Sequence, residues 1–152
     1  MRSRILLYHG RGLLSAAIRL QTASDFSHAS LLMPDGRTVI EAWQGAGVQR
    51  TTLTGTQGVS AFDVPDMSLA QWDAAIEFAD AQVGDGYDYR GVFRFLLPLV
   101  KPSPRRWFCS ELVFAACQTA GCDLLSRVEP YRVSPGMLSM SPLLVPASLA
   151  LP

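Results

Sequence analysis

The stretch from Trp107 to Phe114, Trp-Phe-Cys-Ser-Glu-Leu-Val-Phe, constrains the fold more than any other part of this 152-residue chain. Pro102 and Pro104 interrupt the chain just before it, so no helix can run through from upstream. After Cys109, apolar residues recur at the three- and four-residue steps of one helix face, and Gly121 is a typical stop. The pattern predicts a helix that begins at or near Cys109 and turns an apolar stripe inward.

The predicted position of Cys109 has a chemical consequence. The free N–H groups and the positive end of the helix dipole favour an anion, and therefore thiolate over thiol. Beside a histidine, such a cysteine has a pKa of roughly 3.5–7.5, instead of about 8.5 for a free thiol. Cys109 is therefore a candidate nucleophile if the fold brings a histidine to it.

A predicted hairpin supplies both a histidine and a carboxylate. Residues 27–33 and 37–43 are apolar runs separated by Pro-Asp-Gly, a strong hairpin signal. With a two-residue turn, His28 faces Trp43, and Glu41 is its diagonal neighbour on the same face. A four-residue turn puts His28 and Glu41 directly opposite, whereas a three-residue turn puts them on opposite faces. On one face, Glu41 can orient the imidazole while the second ring nitrogen serves the nucleophile.

Local signals predict the other elements. Residues 5–8 and 59–64 have the composition of short strands, and residues 48–53 that of an irregular one. Ser68 with Gln71 forms a capping box, and Ser134-Pro135 suits the start of a short helix. The remaining helix lies at residues 12–21. The predicted apolar stripes contain Leu13, Leu14, Ala17 and Ile18 in the first helix, and Leu69, Trp72, Ile76, Ala79 and Val83 in the second.

Mixed strands and helices without strict alternation indicate the α+β class, in one domain covering residues 1–152. The apolar, proline-broken residues 142–152 either pack on this domain or form a loose tail. Thirteen basic and thirteen acidic residues give no net charge, which argues against a nucleic-acid partner. We expect neither a signal peptide nor a transmembrane segment, and the odd count of three cysteines indicates a reducing compartment, so a cytoplasmic location is expected.

Each candidate residue also has a simpler interpretation. Alone, Cys109 would be a small core residue, His28 a satisfied polar residue and Glu41 the exposed glutamate of an edge strand. Cys117 and Cys122 are interpreted as structural, with a redox role as the alternative. Lys101, Arg105 and Arg106 form a basic patch that either binds a substrate carboxylate or is simply solvated.

Other site classes lack their motifs. The sequence has neither a Cys-x-x-Cys pair nor histidines at the spacing of metal ligands, so it predicts no metal site, and no cofactor is expected. A serine-hydrolase elbow and a phosphate loop are also missing from the sequence.

Taken together, Ser27-His28, Glu41-Ala42, Gly84-x-x-Tyr87-Asp88 and Phe108-Cys109-Ser110-Glu111-Leu112-Val113 resemble a known family. They are similar to the circularly permuted papain-fold hydrolases, the YaeF/YiiX-like branch of the NlpC-type cell-wall peptidase superfamily, which is related to lecithin retinol acyltransferase-like proteins. In that branch the histidine and acidic residue precede the cysteine, as they do here. The resemblance runs from about residue 5 to residue 134.

The resemblance implies a papain-like α+β domain in which an antiparallel sheet packs against the cysteine-bearing helix. It implies that Cys109 is the nucleophile, His28 the base and Glu41 the residue that orients it, with Tyr87 near the oxyanion. The implied activity is a cysteine peptidase or amidase acting on a small peptide or amide of cell-wall type. A lipid acyltransferase or thioesterase, suggested by apolar residues 92–100, and an inert binding module remain the alternatives, and the oligomeric state is left open.

Overall fold

A six-stranded antiparallel sheet forms the centre of the protein. The computed structural model describes residues 3–94 and 103–150. The strands of this sheet are β1 (Arg4–Tyr8), β2 (His28–Leu32), β3 (Thr38–Trp43), β4 (Gly47–Thr52), β5 (Val59–Asp63) and β8 (Val145–Ala147). Their order in the sheet is β4-β3-β2-β1-β5-β8, and every neighbouring pair is antiparallel.

Helices and a second, smaller sheet complete the fold. Two short parallel strands pair with each other, β6 (Gly86–Tyr87) and β7 (Arg106–Trp107). The helices are α1 (Leu13–Thr22), α2 (Leu69–Asp80), α3 (Arg90–Arg94), α4 (Cys109–Thr119) and α5 (Pro135–Ser139), with a 3-10 turn at Pro130–Arg132. Within the described ranges, no helix combines the length and the hydropathy needed to cross a membrane.

Alternation along the strands sends side chains to two apolar clusters. Ile5, Leu31 and Ile40 join the larger cluster, which contains the apolar side chains of α2 and α4. Leu6 and Leu32 belong to a smaller cluster that lacks those helices. The predicted packing of an antiparallel sheet against the cysteine-bearing helix is therefore confirmed.

Helix α4 begins at Cys109, as predicted, and is buried more completely than a single apolar stripe requires. Residues 109–117 are all buried, because the helix contacts α2, β2, β3, the 3-10 turn and α5. Ser110 is tolerated there because its hydroxyl donates a hydrogen bond to the Val133 carbonyl, at 2.6 Å. Gly121 ends the helix with φ +83°, as expected for a left-handed stop.

The predicted caps are confirmed, but parts of the predicted stripes are wrong. Ser68 and Gln71 form the capping box of α2, and the Ser134 hydroxyl accepts a hydrogen bond from Met137 N–H at the start of α5. Leu13 is 94% exposed, because it opens α1 on a different stripe from the buried Ile18. In the stripe predicted for α2, the two end residues, Leu69 and Val83, are exposed as well. Leu69 is the first residue of α2, and Val83 lies beyond its last.

The C-terminal segment is partly structured. Residues 145–147 form β8, which pairs with β5 at the edge of the sheet. The Arg4 guanidinium, which is paired with Asp63, also donates a hydrogen bond to the Ser148 carbonyl at 3.1 Å. Of the two alternatives for residues 142–152, packing on the domain therefore holds for the part that pairs with β5.

Candidate functional site

Cys109 is the first residue of α4. The preceding Phe108 N–H is held by the Glu111 carboxylate, at 3.2 Å, so the chain entering the helix is fixed. Cys109 is 1% exposed, and its side chain lies at the end of the helix where N–H groups have no partner within the helix. Such N–H groups are available as donors to a substrate oxygen beside the sulfur.

His28 and Glu41 form a buried pair on neighbouring strands. The distance between His28 Nε2 and Glu41 Oε2 is 2.6 Å, and the two residues are 7% and 6% exposed. The other carboxylate oxygen of Glu41 accepts a hydrogen bond from Gln49 Nε2 at 3.1 Å. The carboxylate is therefore held from both sides, and it fixes the imidazole through Nε2.

The register of the hairpin explains this pair. Leu31 pairs with Ile40 and Leu32 with Val39, which is the register expected from a two-residue turn. Continued along the strands, it sets His28 opposite Trp43 and leaves Glu41 as the diagonal neighbour. The rings of His28 and Trp43 meet edge to face with centroids 4.8 Å apart. The exposed-edge interpretation of Glu41 is therefore wrong: β4 covers it, and Gln49 faces it across the strand pair.

The environment of His28 favours the protonated ring. Burial acts first and lowers the pKa of the imidazole, because it disfavours a charged group. Hydrogen bonding and charge from Cys109, followed by the same effects from Glu41, outweigh burial and raise the pKa from 6.5 to about 9. Since Nε2 is engaged by Glu41, Nδ1 is the nitrogen left for Cys109. The three residues singled out from the sequence thus lie together.

Tyr87 reaches the same place by another route. Strand β6 pairs with β7 so that Tyr87 is the partner of Trp107, two residues before Cys109. The Tyr87 ring is buried against Phe108, with centroids 5.9 Å apart. Burial and then the charge of Cys109 raise the pKa of its hydroxyl. The predicted proximity to Cys109 is observed, and a role at the oxyanion stays a prediction.

Three further residues surround the His28–Glu41 pair, and only Trp43 among them follows from the sequence. Gln49 supports Glu41, Trp43 covers the imidazole edge, and Tyr8 lies on the other side of the ring, with centroids 5.0 Å apart. The Tyr8 hydroxyl shares a 2.7 Å hydrogen bond with Ser30. The register of the first hairpin already placed Trp43, whereas Gln49 and Tyr8 depend on strand pairings that no local signal specifies.

The other candidate residues lie away from this arrangement or have other partners. Cys117 and Cys122 are free and buried, and burial raises the pKa of both thiols. Of the basic patch, Arg105 is paired with Asp85 at 3.2 Å, and Lys101 lies outside the described residues. The apolar segment at residues 92–100 falls mostly outside them as well.

The raised pKa of His28 predicts a pH dependence of stability. Because the folded protein holds this proton more tightly than the unfolded chain, the stabilisation is complete below pH 6.5 and is lost as the pH rises through about 9. We expect the difference in free energy of unfolding between the wild type and His28→Gln to shrink across this window. Urea unfolding at a series of pH values measures it, and a difference that grows with pH would contradict the charge interaction with Cys109.

Comparisons with known proteins identify the fold. No protein-family model and no curated protein matches the chain. A crystal structure described as the metalloprotein yiiX from Escherichia coli O157:H7 matches with a TM-score of 0.76 and 23% identity, covering 100% of this chain and 98% of that one. The two proteins share a fold. The expected papain-like α+β fold is thereby confirmed, while the permuted relation to the NlpC-type peptidases stays a prediction.

Proposed function

We propose that the protein is a cysteine hydrolase that cleaves an amide bond through an acyl-enzyme. The Cys109 thiolate attacks the carbonyl carbon and forms a C–S bond, and the His28 imidazolium gives its proton to the leaving nitrogen as the C–N bond breaks. Water then attacks the thioester while His28 takes its proton, and the C–S bond breaks to return the thiolate. The Cys109 backbone N–H and the Tyr87 hydroxyl are the candidate donors to the oxyanion.

One observation supports this proposal above all others. His28 and Glu41 form a buried hydrogen-bonded pair, 2.6 Å apart, and Cys109 raises the pKa of the imidazole in that pair. A core cysteine and a satisfied histidine need no such arrangement, whereas a thiolate–imidazolium pair requires it. Within this chemistry, we propose a small peptide or amide of cell-wall type as the substrate. Transfer of a lipid acyl group is the alternative within the same mechanism, and an inert module of the same fold is the alternative outside it.

A metal-dependent mechanism has no donor set to support it in the described part of the chain. The solved structure with the same fold is described as a metalloprotein. In residues 3–94 and 103–150, no three histidine, cysteine, aspartate or glutamate side chains are placed to hold one ion. The proposed reaction therefore contains no step that uses a metal.

Alkylation by iodoacetamide as a function of pH tests the proposed ion pair. We expect Cys109 to react below pH 7, because the imidazolium stabilises its thiolate. In His28→Ala the rate of alkylation of Cys109 at pH 6–7 should fall by at least about tenfold, because the imidazolium that stabilises the reacting thiolate is gone. The rate at each cysteine is measured by mass spectrometry of peptides.

The protein contains its own controls for this experiment. Cys117 and Cys122 have raised pKa values and should react only at high pH or after unfolding. Rates for all three cysteines in the denatured protein provide the reference for intrinsic reactivity. If native Cys109 reacts no faster than Cys122 at pH 6–7, the inert module is the better description.

A further inference from the structure

A cleft of about 340 Å³ opens beside His28. It lies where the loop after β1 and the start of α1 approach Trp43 and the loop before β5. His28 is a buried side chain of its lining, and His9, Arg11, Trp43 and Gln57 are exposed lining residues. We call this the His28 cleft. Its volume is at the lower end of the roughly 300–1,000 Å³ range of ligand sites, so it suits a small group.

The lining of the His28 cleft favours an anion. Arg11 is exposed and pairs with no carboxylate among the described residues, and no aspartate or glutamate lines the cleft. Helix α1 begins beside it, and Ser15 in the first turn also lines the cleft. The helix has Gly12 as its N-cap, no capping side chain and no acidic residue in the first turn. Its N-terminal partial charge is therefore not neutralised by its own sequence.

Gly10 keeps this corner of the cleft close-packed. A Cβ at this position would lie 2.3 Å from Ser15 Oγ and 2.5 Å from Ser27 Oγ. The Gly10 N–H donates a hydrogen bond to Ser27 Oγ at 3.0 Å, which ties the loop to the residue before His28. The loop that carries Arg11 is thus anchored directly next to the proposed base.

The position of the cleft decides which part of a substrate it receives. It contacts His28 but not Cys109. In the proposed reaction, His28 delivers its proton to the leaving nitrogen, so the leaving group lies on the imidazole side and the acyl group on the sulfur side. We infer that the His28 cleft binds a carboxylate on the leaving amine, with Arg11 as its main partner. This inference rests on the proposed cysteine chemistry and narrows its substrates to amides of amino acids or short peptides with a free carboxylate.

Capture of the acyl-enzyme by amines tests this site, because an incoming amine occupies the position of the leaving one. With p-nitrophenyl acetate as the donor, acetyl-Cys109 forms and p-nitrophenolate leaves. An added amine then forms a C–N bond as the C–S bond breaks, and its proton passes through His28. Glycylglycine and its C-terminal amide are compared at equal concentration, and the acetylated products are quantified by mass spectrometry, with Cys109→Ala as the background.

We expect wild-type protein to transfer acetyl to glycylglycine at least about tenfold better than to its amide, as a charge-assisted hydrogen bond predicts. Arg11→Gln should remove this preference. Arg19→Gln removes the same charge from helix α1, away from the lining of the cleft, and should retain the preference. Equal transfer to both amines, with Cys109 acetylated, would overturn the inference and leave the cysteine chemistry intact. Equal loss in both arginine variants would overturn the assignment to this cleft. Absence of acetyl-Cys109 would reject both proposals.

Discussion

Replacing Cys109 with alanine is expected to abolish acyl-enzyme formation and to lower the rate of hydrolysis by roughly 10³-fold or more, as loss of a nucleophile does in enzymes of this type. No neighbouring group can substitute, because Cys117 lies two turns further along α4 in the fully buried core. The measurement is the burst of p-nitrophenol from p-nitrophenyl acetate, together with the mass of the acetylated Cys109 peptide.

Two variants make this result specific. Cys122→Ala removes a thiol at the other end of α4 and should keep both the burst and the acetyl adduct. Cys109→Ser nearly retains the volume of the side chain and should fold, yet form no adduct at neutral pH, since a hydroxyl is far less acidic than a thiol. A full burst from Cys109→Ala would show that the ester reacts elsewhere.

The local parts of the site could be predicted because local chemistry specifies them. The proline interruption, the glycine stop and the apolar periodicity predict a helix that begins at or near Cys109, and α4 begins at that residue. The Asp35-Gly36 pair predicts the hairpin but leaves three turn lengths open, and the observed pairing is that of the two-residue turn. Asp35 itself accepts hydrogen bonds from the N–H groups of Arg37 and Thr38, which holds the turn together.

Long-range placement could not be derived from the same signals. Cys109 meets His28 because α4 packs against β2 and β3, and a parallel pair of two-residue strands brings Tyr87 alongside. Neither contact produces a periodic pattern in the sequence. Only the resemblance to known hydrolases predicts that Cys109, His28 and Tyr87 lie together. The role of Gln49 has no sequence signal for a related reason: it lies in a strand of polar residues with weak alternation, and only the pairing of that strand with β3 brings it to Glu41.

The site also depends on how β4 is attached to the rest of the protein. Val48 N–H donates to the Asp85 carbonyl at 2.8 Å, and Gly84 N–H donates to the Val48 carbonyl at 3.0 Å. These bonds join the strand that carries Gln49 to the loop that leads into Tyr87. The Trp107 indole N–H donates to the Asp85 carboxylate at 3.2 Å, which ties the approach to Cys109 to the same loop. The loop at Gly84 and Asp85 thus fixes both the strand that carries Gln49, the partner of Glu41, and the residues that lead to Cys109.

Gly47 is the position where this attachment is most sensitive. It opens β4 with φ +75°, and a Cβ there would lie 2.2 Å from the Asp85 backbone oxygen, which has little room to move. We expect Gly47→Ala to lower the free energy of unfolding by about 3 kcal/mol or more, since backbone strain and a steric clash add. Urea unfolding at constant pH measures the change.

Gly45→Ala is the matched control for this substitution. Its φ is +83°, but a Cβ would meet no atom within 4 Å, so only the backbone strain remains, about 1–2 kcal/mol. The difference between the two variants therefore isolates the close approach to Asp85. The folded fraction of Gly47→Ala should also show a lower reactivity of Cys109 toward iodoacetamide, because a displaced β4 loosens Gln49 and with it the Glu41–His28 pair. An equal loss of unfolding free energy in Gly47→Ala and Gly45→Ala would contradict this prediction. It would mean that the loop before β6 moves without cost and does not hold the site together.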